Sequence, residues 1–230
     1  MGLKQSIRRY PYRYFKMLVS PIEIRQYIVS HDPRLLNVGA QRNRPAGWLN
    51  IDLDPVPGVA YLDATKMASV PKDTFDAVLC EHMIEHVPLD VGKCIVESIY
   101  RVLKPGGVAR FVTPDLERLT RLITAPEDID LRYLALFRNA SQEIGLSVHG
   151  ADISAVDCVN IAFRNYGHQY IYTKDELRHH LERIGFTKII DTAASDFRNA
   201  LFYNAQGHAG CVGVELNNLE SFAFEASKET

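Results

Sequence analysis

Three imidazoles and one carboxylate stand out by type and spacing: His82, Glu85 and His86 lie within five residues, and His168 lies far along the chain. Histidine changes charge near neutral pH, so each ring can accept or deliver a proton under ordinary conditions. His82 and His86 are four apart and share one face if their segment is helical. That spacing also permits a metal pair, but no third ligand accompanies it in the sequence, so no metal is expected. Structural roles are the alternatives: a hydrogen bond at a helix start for His86, and packing beside Tyr170 and Tyr172 for His168. His149 is a weaker candidate, and His179-His180 read as part of a solvated helix face.

A second set of residues suits a nucleoside. Gly39 closes one short apolar run and Asp52 closes the next. A strand-to-helix turn at a glycine offers backbone N–H groups and a helix N-terminus to a bound group. An acid ending the second strand can accept hydrogen bonds from both ribose hydroxyls, an arrangement common to nicotinamide and adenosylmethionine sites. Asp52 could instead be a turn residue, since Asp54, Pro55, Pro57 and Gly58 make a loop directly after it.

These residues need a scaffold, and residues 34–116 supply one. Leu35–Gly39, Trp48–Asp52, Phe75–Cys80 and Val108–Val112 are short runs rich in β-branched or aromatic residues, each too short for a helix. Between the last two, Val91, Cys94, Ile95, Ser98, Ile99, Val102 and Leu103 recur at helical spacing, with Asp90 as the expected N-cap. Pro105 stops the helix and Gly106-Gly107 permits the turn. Strand, crossover helix and strand predict a right-handed parallel unit. Thr173-Lys174-Asp175-Glu176 is a capping box for a further helix over Leu177, Leu181 and Ile184, ending at Gly185. Phe186–Thr192 and Gly210–Leu216 read as two strands pairing as an antiparallel hairpin at the sheet edge. Residues 115–166 break the rhythm, apart from a helical Leu131–Phe137, and would lie over the carboxyl ends of the strands as a lid or substrate-shaping insertion.

The 230 residues are enough for one buried core, so one domain over 1–230 is expected, with 1–30 as an N-terminal helical arm. Lys and Arg number 26 against 28 Asp and Glu, a balance with no global attraction to nucleic acid, and no nucleic-acid partner is expected. Cys80, Cys94, Cys158 and Cys211 form no Cys-x-x-Cys pair and read as reduced thiols. Without a signal-peptide core or an apolar run of about 20 residues, the chain reads as cytoplasmic. The N-terminus is locally basic: Lys4, Arg8, Arg9, Arg13 and Lys16 precede the first acid, Glu23, and are interleaved with Tyr10, Tyr12, Tyr14 and Phe15. It reads either as a peripheral membrane-contacting arm or as a solvated helix whose aromatics pack on the domain. Met1-Gly2 with Ser6 fits an N-myristoylation pattern.

An ordered series of words from Leu36 to Pro114 resembles the class I S-adenosylmethionine-dependent methyltransferases, and especially a small bacterial branch found with glycan-biosynthesis enzymes. The words are Leu36-Asn37-Val38-Gly39, Gly47-Trp48-Leu49-Asn50-Ile51-Asp52, Leu62-Asp63-Ala64-Thr65, Phe75-Asp76-Ala77-Val78, Glu81-His82-Met83-Ile84-Glu85-His86-Val87 and Val102-Leu103-Lys104-Pro105-Gly106-Gly107. Gly167-His168-Gln169-Tyr170-Ile171-Tyr172-Thr173 and Gly185-Phe186 extend the likeness. It implies a Rossmann-like α/β fold, mostly parallel with an antiparallel C-terminal edge hairpin and helices on both faces.

It implies S-adenosylmethionine as cofactor, with Gly39 at its methionine end, Asp52 on the ribose, Asp63 and the Ala64 N–H on the adenine edge, and Cys80 and Glu81 alongside. It also implies methyl transfer, to the oxygen of a sugar, glycan or small molecule; a protonated hydroxyl is a poor nucleophile, so a base is expected, and the candidates are His82, Glu85, His86 and His168. One departure stands out: the family's Gly-x-Gly-x-Gly turn reads here Gly39-Ala40-Gln41-Arg42-Asn43. Gln41 either hydrogen-bonds the cofactor or fills its space, and in the second case the chain is a non-catalytic binding or regulatory module. A nicotinamide oxidoreductase is disfavoured, because residues 39–44 carry no dinucleotide fingerprint.

Overall fold

The computed structural model describes residues 3–41, 43–143 and 153–229. Met1-Gly2 and His149 lie outside the described residues. Seven strands form one sheet: β1 (Leu35–Val38), β2 (Leu49–Asp52), β3 (Ala60–Tyr61), β4 (Phe75–Glu81), β5 (Leu103–Pro114), β6 (Phe186–Ala193) and β7 (Ser221–Lys228), in the order β3-β2-β1-β4-β5-β7-β6. The first five are mutually parallel, with Val38 opposite both Ile51 and Cys80, whereas β7 runs antiparallel to both β5 and β6. The sheet is therefore Rossmann-like, and the strand order reverses between β1 and β4, where an open α/β sheet leaves a crevice at its carboxyl edge.

The antiparallel pair at the edge is present, but its second member is Ser221–Lys228 rather than 210–216. Residues 208–220 instead form two short helices, α7 (His208–Val212) and α8 (Val214–Glu220). Val212, Val214 and Leu216 alternate by chance over a stretch that ends buried through Leu216 and Asn217 on a helix. The strand-like alternation that matters is Phe222, Phe224 and Ala226, all buried on one sheet face. The crossover helix α2 (Leu89–Val102) forms as expected, although Pro88 rather than Asp90 holds the N-cap position. In α6 (Lys174–Ile184), Thr173 Oγ1 accepts the Glu176 N–H, and Gly185 closes the helix in the left-handed region at φ 113°.

Successive residues of the central strands are buried, because both faces of the sheet are covered. On one face, Leu36, Val38, Phe75, Val78, Cys80 and Phe111 pack with Ile95 and Ile99 of α2 and Leu177 and Leu181 of α6. On the other, Ala77, Leu79 and Val108 meet Trp48, Phe202 and Ala205. Arg110 and Glu225 are also buried there, 2.9 Å apart across β5 and β7. The Arg110 guanidinium further donates to Thr192 Oγ1 and to the carbonyls of Ala193 and Ala194, tying in β6.

Residues 115–166 are helical where described: α3 (Leu116–Thr124), α4 (Asp128–Glu143) and α5 (Ala155–Arg164). They share a separate apolar cluster of Leu119, Leu122, Tyr133, Phe137, Cys158 and Ile161, completed by Leu216 from α8. Buried Asp130 joins two of these helices by accepting from Arg118 and Arg121, and the Arg121 hydrogen bond holds its pKa low against burial.

The N-terminal arm is one helix, α1 (Leu3–Ser30), anchored by buried Ile24 and Tyr27; the Tyr27 hydroxyl bonds the carbonyls of Leu35 and Gly47. Two of its earlier aromatics, Tyr14 and Phe15, stay exposed, as do the aliphatic Leu18 and Ile22. No described helix is long and apolar enough to cross a membrane.

Candidate functional site

At the carboxyl edge, between β1 and β2, the turn after β1 survives despite its altered residues. Gly39 adopts φ 72°, and a Cβ there would fall 2.4 Å from Met83 Cγ, so the site requires glycine for space as well as for conformation. Gln41 also lies in the left-handed region, at φ 37°, the conformation a glycine would adopt without strain. Its side chain is exposed, and its backbone N–H donates to Asp52 Oδ2 at 3.1 Å. Asp52 Oδ1 accepts the Asp54 N–H at 2.8 Å. Burial pushes the Asp52 pKa up, and these backbone bonds pull against it. Two N–H partners leave lone pairs on this carboxylate, which offers about four acceptor sites, for further donors.

The side chain at position 41 is open to solvent, and the turn keeps its form at the cost of positive φ. We expect Gln41→Gly to leave stability within about 1 kcal/mol of the parent, relief of strain offsetting the added freedom of the unfolded chain. Adenosylmethionine affinity, measured by titration calorimetry, should be equal or improved; a loss beyond about tenfold would show that the glutamine side chain is itself a ligand.

Asp63 is half-buried, and its Oδ1 accepts from both the N–H and the hydroxyl of Thr65, so this acid first organises its own turn. Ala64 beside it is buried. Cys80 is fully buried with its thiol in the core, where burial drives its pKa up, so it can present only backbone to the crevice. Glu81 turns away toward the C-terminal segment: Oε2 accepts from Asn43 Nδ2 and the Gly207 N–H, and Oε1 from the His208 N–H. Asn43 also donates to the Ala205 carbonyl, so position 43 of the altered turn holds that segment in place.

Beyond β4 the chain enters a short 3-10 turn (Ile84–His86) above the ends of β1 and β4. Here the three predicted imidazoles separate into two groups. His82, at φ 47°, has its Nδ1 3.1 Å from Glu85 Oε1 and its Nε2 3.3 Å from Ser221 Oγ. Burial acts to lower the His82 pKa, but the hydrogen bond and charge of Glu85 override it; Glu85, itself fully buried, is correspondingly held low by His82 against its own burial. Its Oε2 also accepts from Thr113 Oγ1. The His82 ring lies 3.9 Å, centroid to centroid, from that of His208, whose Nε2 is 2.5 Å from Glu220 Oε1.

His86 and His168 form the second group, ring edge to ring face at 4.7 Å. Three hydrogen bonds fix their segments together: the Gln169 and Tyr170 N–H groups donate to the Glu85 carbonyl, and Gln169 Nε2 donates to the His86 carbonyl. Burial lowers the His168 pKa, which favours the neutral ring, and its Nδ1 is buried with no hydrogen-bond partner among the described residues. Tyr170 and Tyr172 pack on each other, at 5.0 Å between ring centroids, and the tyrosine ring beside His168 is that of Tyr166, at 5.9 Å; Tyr170 directs its hydroxyl to Glu176. His179-His180 lie on α6, away from both groups, with His180 3.8 Å from Glu176. His208 and Glu220 were not singled out from the sequence. They are 12 residues apart and on different helices, and only the folded chain brings them to His82.

A strand-order switch at β1 and β4, a left-handed glycine after β1 and an acid ending β2 are the features of a Rossmann-like domain. The sequence model of a family described as a methyltransferase domain matches residues 32–190, and the chain belongs to that family. No curated protein matches it. Among solved structures, a SAM-dependent methyltransferase from Archaeoglobus fulgidus is 16% identical, with 93% of this chain and 94% of that one covered and a TM-score of 0.49. A Burkholderia thailandensis 1,6-didemethyltoxoflavin-N1-methyltransferase with bound 1,6-didemethyltoxoflavin and S-adenosylhomocysteine is 13% identical, covering 94% and 79%, at 0.47. A Bordetella parapertussis chain described as a "possible exported protein" is 13% identical, covering 97% and 68%, at 0.50. At such identities the likeness is one of fold.

Proposed function

We propose that the protein is an S-adenosylmethionine-dependent methyltransferase that methylates an oxygen of a sugar, glycan or small-molecule acceptor. The observation that carries the reading is the placement of Asp52 at the end of β2 beside the Gly39 turn: its carboxylate is held by backbone N–H groups and keeps acceptor capacity to spare, while Gly39 takes a left-handed conformation and packs against the Met83 side chain. Family membership and the switch in strand order support it. When bound, the cofactor would supply a methyl group on a sulfonium, open to in-line displacement with the neutral thioether as the leaving group. Asp52 would hold the ribose, Gly39 would face the methionine end, and the Asp63–Thr65 turn would border the adenine.

An acceptor hydroxyl is a weak nucleophile while protonated, so the protein's remaining task is to align it, exclude water and remove its proton. We assign the proton to His86, partly exposed on the turn above β1 and β4, with His168 beside it as the ring that positions and shields it. His82 is less suited, because Glu85 and Ser221 occupy both of its ring nitrogens. A sugar or glycan as acceptor rests on the resemblance of the motifs to the glycan-associated branch.

Titration calorimetry with S-adenosylmethionine and S-adenosylhomocysteine tests the cofactor, and release of S-adenosylhomocysteine over a panel of glycans and small alcohols tests the acceptor. Absence of heat at millimolar cofactor would leave only a methyltransferase-like binding module. Asp52→Ala should weaken cofactor binding by about 1–3 kcal/mol, the cost of losing a buried polar partner. Parental affinity in that variant would remove Asp52 from the site.

A further inference from the structure

We propose that His82, His208 and Glu220 form a binding site for one divalent transition-metal ion, Zn²⁺ by ligand type, that clamps the α7–α8 segment onto the tip of β4. One ligand atom from each of these residues lies within 4.8 Å of the other two, and all three side chains are partly buried. Two imidazoles and a carboxylate are a set that zinc accepts with its fourth position left to water or another oxygen.

The surroundings match what a metal site needs. His82 Nδ1 is bonded to the buried carboxylate of Glu85, which fixes the ring and leaves Nε2, now near Ser221 Oγ, as the ligating atom. Such a carboxylate–histidine pairing is the usual outer support of a metal-bound imidazole. Glu81 holds the third element, since its carboxylate accepts the N–H groups of Gly207 and His208 and so sets the position of the His208 ring.

A second set, Glu85, His86 and His168, also lies within 4.8 Å. Both oxygens of its carboxylate are engaged outside the set, one on His82 and the other on Thr113, whereas the ion-pair contact of Glu220 is with His208, a ligand of its own set, so the observations favour the first.

The test uses the full chain stripped with chelator and titrated with ZnSO₄ by calorimetry, and with CoCl₂ followed by visible absorption. One equivalent of Zn²⁺ should bind, Co²⁺ should give the intense d–d bands of a low-coordinate site, and Zn²⁺ should raise the melting temperature. His208→Ala and the isosteric Glu220→Gln should each weaken Zn²⁺ binding at least tenfold, whereas His86→Ala and His180→Ala should leave it unchanged. Circular dichroism identifies any variant that fails to fold, and Glu220→Gln then carries the test. Absence of binding, binding that survives both His208→Ala and Glu220→Gln, or loss of binding in folded His86→Ala would each overturn the proposal. None of these measurements depends on methyl transfer, so the metal site and the transferase reading stand or fall separately.

Discussion

His86→Ala is expected to lower the rate of methyl transfer by about 10²–10⁴-fold while leaving adenosylmethionine affinity within about threefold of the parent, because a positioned base contributes that range and does not hold the cofactor. Single-turnover transfer of a labelled methyl group, compared with calorimetry on the same preparation, separates the two effects. The variant should fold, since the His86 ring is only partly buried and its segment is fixed through backbone carbonyls that the substitution leaves in place. A rate unchanged within a few fold would move the proton to another group. If His168→Ala alone abolished turnover, the roles of the two rings would have to be exchanged.

Arg110→Ala should cost about 3–5 kcal/mol of folding stability, the range for breaking a buried ion pair and stranding the partner charge. The stranded group would be Glu225, buried and bonded also to the N–H groups of Arg198 and Asn199. Burial lowers the Arg110 pKa and the charge of Glu225 opposes that, as expected of a cation kept in the interior by its partner. The Phe197 ring, 4.8 Å from the guanidinium, would lose its cation as well. Set against a typical total of roughly 5–15 kcal/mol, the loss is a large fraction of the stability and should lower the urea midpoint by at least about 1 M. A variant within 1 kcal/mol of the parent would mean that water reaches Glu225 and relieves it.

The core of the fold was legible because its signals are local. The strand at Phe75–Glu81 announces itself by composition, the helix over 89–102 by its period, and Thr173 and Gly185 by capping chemistry. What failed were segments whose fate depends on distant partners. Residues 212–216 alternate as a strand would, yet lie in helices, because the sheet position they would have taken is filled by Ser221–Lys228. The aromatics at 14 and 15 were open to packing on the domain, but the anchor is Tyr27, whose hydroxyl finds the carbonyls of Leu35 and Gly47.

The candidate site divides along the same line. Gly39 and Asp52 could be read from strand ends, and the spacing of His82 and His86 raised the question of a metal. Glu81 and Cys80 were expected along the crevice, but one is turned to α7 and the other into the core. The pairing of His82 with His208 and Glu220, and of His86 with His168, spans more than 80 residues in each case. No window of sequence could show either.

β7 lies between β5 and β6 although it follows both in the chain, with Pro114 opposite Ser221 and Ala193 opposite Phe222. During synthesis, therefore, β6 has no strand to pair with until the ribosome has delivered residues more than two dozen positions later. The parallel half, β1 to β5, can assemble first, while the edge of β5 waits open. A pause or cleavage after α6 would leave that edge able to recruit a strand from another molecule, which makes the interval before residue 221 emerges the period of greatest aggregation risk.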